Sequence, residues 1–218
     1  MAMPVDKEKL KVLKQTYDQK KKAIADRLND FKRAGASCDR DIFGELCFCI
    51  LTPQSKAVKC DEIIRKLKET KLLFEGDAKQ ISPHVKGARF YKNKTGYLVT
   101  AREHLSHGGR IRIKDKIDSK DPVSTREWLV KNIKGIGYKE ASHFLRNIGL
   151  GEDLAILDVH ILRNLKAMGV ISEIPKSLTK KRYLEIEEKL RRFSKDCGIP
   201  AGHLDILFWS MATGRIFK

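Results

Sequence analysis

No segment of this 218-residue chain alternates apolar and polar residues with period two; its apolar residues recur every three or four positions. A half-buried strand needs the first pattern and an amphipathic helix the second. The sequence therefore predicts an all-α protein of nine or ten helices. Over 6–34, Leu10, Leu13, Tyr17, Ile24, Leu28 and Phe31 line one face of a long helix that Gly35 ends. Asp39 or Asp41 caps a second helix, 42–51, apolar enough to be buried on most sides. "LTPQS" breaks it, and a third helix covers 56–69. A helix over 88–105 follows a Pro-led turn, and the glycine pair at 108–109 closes that region. Ser124 and Glu127 stand at capping-box spacing before Trp128, Leu129 and Ile133. A helix over 138–148 is closed by Gly149, Asp158 caps another over 159–168, and the last two stop at Gly198 and Gly214.

Charge narrows the partners. Lys and Arg total 45 against 28 for Asp and Glu, a net +17 that suits a polyanion. A membrane surface fits less well than nucleic acid. The longest apolar run, "LCFCIL", is far short of the roughly 20 residues a spanning helix needs. The first residues lack an apolar stretch followed by a cleavage site, so a cytoplasmic protein is expected. Five cysteines without a C-x-x-C predict reduced thiols and no four-cysteine cluster. The histidines are scattered, and no metal site is expected.

The segment "KGIGYKEASHF" carries the sharpest signal. Two helices joined by "KGIG" form a hairpin in which Gly135 and Gly137 permit unusual backbone angles and close approach to a ligand. Ile136 between them can enter the core, and Ala141 is small where the helices cross. The free N–H groups of the hairpin, with Lys134 beside them, suit a phosphate. A plain αα-turn would use the same glycines. Lys139 falls in the first turn of the second helix, where the positive helix end disfavours an ammonium and so favours a free, nucleophilic amine. The plainer alternative is one more phosphate-binding lysine. Downstream, "AILDVHI" places Asp158 among apolar residues. It can cap a helix, and it can also face a cleft and stabilise positive charge.

Together, "IKGIGYKEASHFLRNIG" and "LDVHILRNL" resemble the helix–hairpin–helix, Gly-rich loop and aspartate signature of the DNA glycosylase superfamily that includes endonuclease III. Within it the chain is similar to the short prokaryotic 8-oxoguanine DNA glycosylase/AP lyases. The resemblance runs from position 45 to the end and is most specific over 129–165 and at the terminal "TGRIFK". It implies two helical domains around a cleft, 39–152 and 1–38 with 153–218. It implies that Lys139 attacks C1′ of a nucleotide flipped out of double-stranded DNA, with Asp158 assisting, and that no cofactor is needed. It suggests Gln54 of "ILTPQS" as the residue that fills the gap left by the flipped base, although Gln54 suits a helix start equally. It suggests Phe90 as a wedge and Arg89 or Tyr91 as a contact to the orphaned cytosine. Lys218 and Trp209 would reach the base pocket; Trp209 fits a core position as well. The iron–sulfur loop of endonuclease III and the β domain of eukaryotic relatives are both absent from the sequence. The resulting expectation is a monomeric, bifunctional enzyme acting on 8-oxoguanine. A glycosylase for another oxidised base, or a non-catalytic DNA-binding module, would share most of these features.

Overall fold

The computed structural model describes residues 7–218, so residue 6, the expected start of the first helix, lies outside the described residues. Among these there are eleven α-helices, two 3-10 turns and one two-stranded ribbon. Helix α1 (Lys7–Ala36) turns Leu13, Ile24 and Phe31 inward. Gly35 does not end it. It sits in the last turn, where a Cβ would collide with the carbonyl oxygen of Ile148, so the missing side chain lets two segments touch.

Helix α2 (Asp39–Leu51) buries every residue from Ile42 to Leu51 except Glu45. Its cap position is Cys38, without a side-chain capping bond, rather than Asp39 or Asp41. Both aspartates are engaged elsewhere: Asp39 accepts the Lys114 N–H at 2.9 Å, and Asp41 pairs with Lys68. Helices α3 (Ala57–Glu69), α6 (Tyr91–His104) and α8 (Tyr138–Asn147) surround α2. Single-turn helices α4 (Leu72–Glu75) and α5 (Ala78–Ile81) were not expected; one turn is too short to show a period.

The helix expected from 88 begins at Tyr91, because Phe90 at its cap has a left-handed backbone, φ 59°. After it, β1 (Ser106–His107) and β2 (Arg110–Ile111) pair antiparallel around Gly108 and Gly109. This ribbon departs from the all-α expectation, and two residues per strand leave no alternation to detect. Helix α7 (Pro122–Asn132) is capped by Asp121, whose Oδ1 accepts the Ser124 N–H at 2.9 Å. The capping box expected from Ser124 and Glu127 therefore does not form. Glu127 instead accepts from the Tyr138 hydroxyl and the Lys180 ammonium. The chain closes with α9 (Val159–Ala167), α10 (Lys180–Cys197) and α11 (Ala201–Thr213).

Buried apolar side chains form two clusters. One joins α2, α3, α6, α7 and α8, and the other joins α1, α9, α10 and α11. The chain passes from the first to the second between Leu154 and Ala155. No helix among the described residues is long and apolar enough to cross a membrane.

Candidate active site

Helix α8 owes its position to the hairpin before it. Gly135 has φ +87°, and a Cβ there would lie 2.5 Å from the Tyr97 ring. Gly137 is extended and caps α8; its N–H is accepted by Glu140 Oε2 at 3.1 Å. Ile136 is buried between the two glycines, and Ala141 is fully buried beneath them. Lys134 lies outside, its ammonium 5.6 Å from the centre of the Tyr97 ring.

This arrangement sets Lys139 in the first turn of α8, one quarter exposed, at the wall of a cavity of ≈630 Å³. Its Nζ lies 3.0 Å from Glu140 Oε1. Glu140 thus joins the hairpin cap to the amine, a link the sequence reading did not include. Asp158 stands on the same cavity wall system, at the cap of α9. Its Oδ1 accepts the N–H groups of His160 and Ile161, both at 2.8 Å. Oδ2 takes no part in the cap.

Gln54, Trp209 and Lys218 also line this cavity. Trp209 is not a core residue: it is half-buried and stacks on Phe217, ring centres 6.4 Å apart. The Lys218 ammonium is tied down by Glu45 at 2.8 Å and Asp61 at 2.7 Å, 4.7 Å from the Phe48 ring centre. Burial pulls its proton affinity down, but the two carboxylates outweigh burial and raise it. Arg89, Phe90, Tyr91, Lys134, Gly135 and Gly137 are not cavity residues. Phe90 is 54% exposed with the Arg89 guanidinium over its ring at 4.9 Å, whereas Tyr91 packs partly buried against the first cluster.

Sequence reasoning missed several residues at the cavity. His143 lies one helical turn after Lys139, spacing that could have flagged it. It is buried, its Nε2 has no hydrogen-bond partner among the described residues, and it meets the Phe48 ring edge-on. Burial, then the charges of Arg146, Lys139 and Lys218, hold its proton affinity well below the ordinary histidine range. Below it, Arg146 bonds Asp205, a carboxyl pushed up to about 6, chiefly by burial. Nothing local in the sequence marks Asp205, Glu45 or Asp61. Among the described residues no three His, Cys, Asp or Glu side chains gather as metal ligands.

The cavity therefore offers an amine, a carboxylate on another element, an aromatic face and a buried imidazole whose Nε2 has no hydrogen-bond partner among the described residues. A family model described as 8-oxoguanine DNA glycosylase matches residues 24–199. The 8-oxoguanine DNA glycosylase/AP lyase of Fusobacterium nucleatum is 46% identical over 208 residues, covering 94% of this chain and 96% of that protein. The protein of the same description from Methanocaldococcus jannaschii is 39% identical, covering 91% and 93%. A crystal structure of the M. jannaschii glycosylase/lyase with 15mer DNA containing 8-oxoguanine superposes with a TM-score of 0.84, at 37% identity over 95% of this chain and 99% of that one. The 8-oxoguanine DNA glycosylase of Thermotoga maritima superposes with a TM-score of 0.85, covering 97% and 99%. With its helical fold shared along nearly its full length, this chain belongs to the 8-oxoguanine DNA glycosylase family.

Proposed function

We propose that the protein excises 8-oxoguanine from double-stranded DNA and then nicks the strand, with Lys139 as nucleophile and Asp158 as its charged partner. The observation that carries this reading is the shared cavity. Lys139 enters it from a helix of the first apolar cluster, and Asp158 from a segment packed with the second. The reacting sugar carbon is inaccessible inside a stacked duplex, so the nucleotide must be extruded into such a space.

The nitrogen lone pair of Lys139 forms a bond to C1′ as the glycosidic bond breaks, and the bonding pair leaves with the base, which takes up a proton. Positive charge grows on the sugar, and the Asp158 carboxylate stabilises it. The nitrogen bonded to C1′ gives up a proton, its lone pair forms the C=N bond as the C1′–O4′ bond breaks, and O4′ takes up a proton as a hydroxyl, giving a Schiff base between Lys139 and C1′. Removal of a C2′ proton then expels the 3′ phosphate and cuts the strand. None of these steps changes an oxidation state, so the chemistry calls for no redox cofactor.

Trp209 and Lys218 form the base end of the cavity, with Phe217 backing the indole. Gln54 fills the gap in the duplex, Phe90 wedges it, and Arg89 or Tyr91 meets the orphaned cytosine; the exposure of Phe90 favours Arg89 beside it over the partly buried Tyr91. Gly135 and Gly137 let the hairpin backbone come close to a phosphate, and the Lys134 ammonium beside them supplies the positive charge; the Gly137 N–H itself is held by Glu140. The two apolar clusters support a division into domains near 152, with the N-terminal helix joining the C-terminal helices. The protein works as a monomer on chromosomal DNA in the cytoplasm.

Borohydride reduces a Schiff base to a stable adduct. Incubation with a duplex carrying 8-oxoguanine opposite cytosine should trap the wild type covalently. Lys139→Gln should give no adduct while still binding the duplex. Binding by the wild type with neither trapping nor nicking would leave only a DNA-binding module.

A further inference from the structure

Three described residues other than glycine have a left-handed backbone: Gln54 at φ 55°, Lys71 at φ 61° and Phe90 at φ 59°. Two of these are the side chains read above as entering the duplex. Such a conformation persists where the surroundings over-determine it. Here the surroundings converge on Lys94.

Lys94 lies in the first turn of α6 and is only 5% exposed. Its Nζ donates to the carbonyl oxygens of Leu51 and Pro53, both at 2.7 Å, and to Ser55 Oγ at 3.2 Å. An ammonium has three donors, and all three are used. Its backbone N–H donates to the Phe90 carbonyl at 3.1 Å. Ser55 Oγ also accepts the Arg89 N–H at 2.9 Å. Gln54 is thus bracketed by Pro53 and Ser55, and Phe90 by Arg89 and Lys94, in one continuous chain of bonds. All three acceptors of the ammonium are neutral. A buried charge held that way is a poor means of stabilising a core, but it supplies three directed bonds. Burial also draws the Lys94 proton affinity below its ordinary value.

We infer that Lys94 is a positioning residue for DNA opening: its ammonium fixes the Gln54 and Phe90 segments at the separation with which they enter the duplex together. The inference rests on the roles read for Gln54 and Phe90. Two probes held rigidly lose no further freedom when DNA binds, so more of the contact energy is left to unstack the duplex.

The test uses Lys139→Gln, which binds without nicking, and a duplex with 2-aminopurine beside an 8-oxoguanine. The probe brightens when its neighbours unstack. Lys139→Gln alone should give a clear rise at saturating protein. Adding Lys94→Met should cut that rise to about a third or less, while Kd changes by less than about five-fold, since phosphate contacts carry most of the affinity. Ser55→Ala, which leaves Lys94 bonded to two carbonyls, should give an intermediate loss; it decides the matter if melting shows the methionine variant unfolded. A full rise with both substitutions overturns the inference. So does a rise that falls only in step with affinity, the mark of a merely structural lysine. No rise with Lys139→Gln alone would remove the roles of Gln54 and Phe90, and the inference with them.

Discussion

Asp158 shows how one side chain can cap a helix and line the cavity at once. Oδ1 caps α9 by accepting two backbone N–H groups, which keeps the carboxylate oriented, and Oδ2 stays out of that cap. The alternatives of cap and cavity residue thus do not compete. His143 is the opposite case, a residue with no bond at Nε2 among the described residues. The folded chain keeps it neutral, through burial and the nearby charges of Arg146, Lys139 and Lys218. Below about 6.5 an unfolded histidine takes up a proton that the folded one refuses, so stability must fall as pH drops through that range. The slope from this one group is at most ~1.4 kcal/mol per pH unit. His143→Phe keeps a ring against Phe48 without the titration. Between pH 7 and pH 5, about the span over which histidine charges, the melting temperature of the wild type should drop further than that of His143→Phe. Equal drops would mean that the ring charges inside the folded chain.

At the scale of elements, the α7–α8 hairpin separates two glycines that look alike in sequence. Gly135 needs its positive φ and the space against Tyr97, whereas Gly137 is extended and only Glu140 Oε2, at 3.1 Å, would crowd a Cβ. Gly135→Ala should therefore cost about 1–3 kcal/mol, and Gly137→Ala less. Denaturant unfolding of both variants measures the difference, and equal losses would contradict it. The helices themselves were readable because a 3.6-residue period is a local signal. Element boundaries were less so. The start of α6 is set by Phe90, whose left-handed backbone no rule for an aromatic residue anticipates. The cap of α7 went to Asp121 because Pro122 follows it, a pairing that outranks the spacing of Ser124 and Glu127.

Across the whole molecule, two buried ion pairs tie the apolar clusters together: Arg146 of α8 with Asp205 of α11, and a second pair that is more deeply buried. Arg126 of α7 meets Glu187 of α10, with both side chains essentially unexposed. Glu187 also accepts the Ala155 N–H at 2.8 Å, where the chain crosses from one cluster to the other. Glu187→Ala strands a buried guanidinium and should destabilise the protein by about 3–5 kcal/mol in denaturant unfolding. A loss near that of a surface pair, ~0–1 kcal/mol, would show water reaching Arg126. The C-terminal tail makes a further tie: Ile216 packs with one cluster, Phe217 with the other, and Lys218 reaches Glu45, 173 positions back along the chain. The sequence by itself determined that the chain is helical, where the hairpin turns and which aspartate caps α9, because each is written in residues a few positions apart. Only the tertiary structure decided that Lys94 holds the Gln54 loop, that Glu45 and Asp61 hold Lys218, and that Arg126 meets Glu187. Partners so distant along the chain leave no periodic trace, and they meet only where the packing of two apolar clusters brings their backbones together.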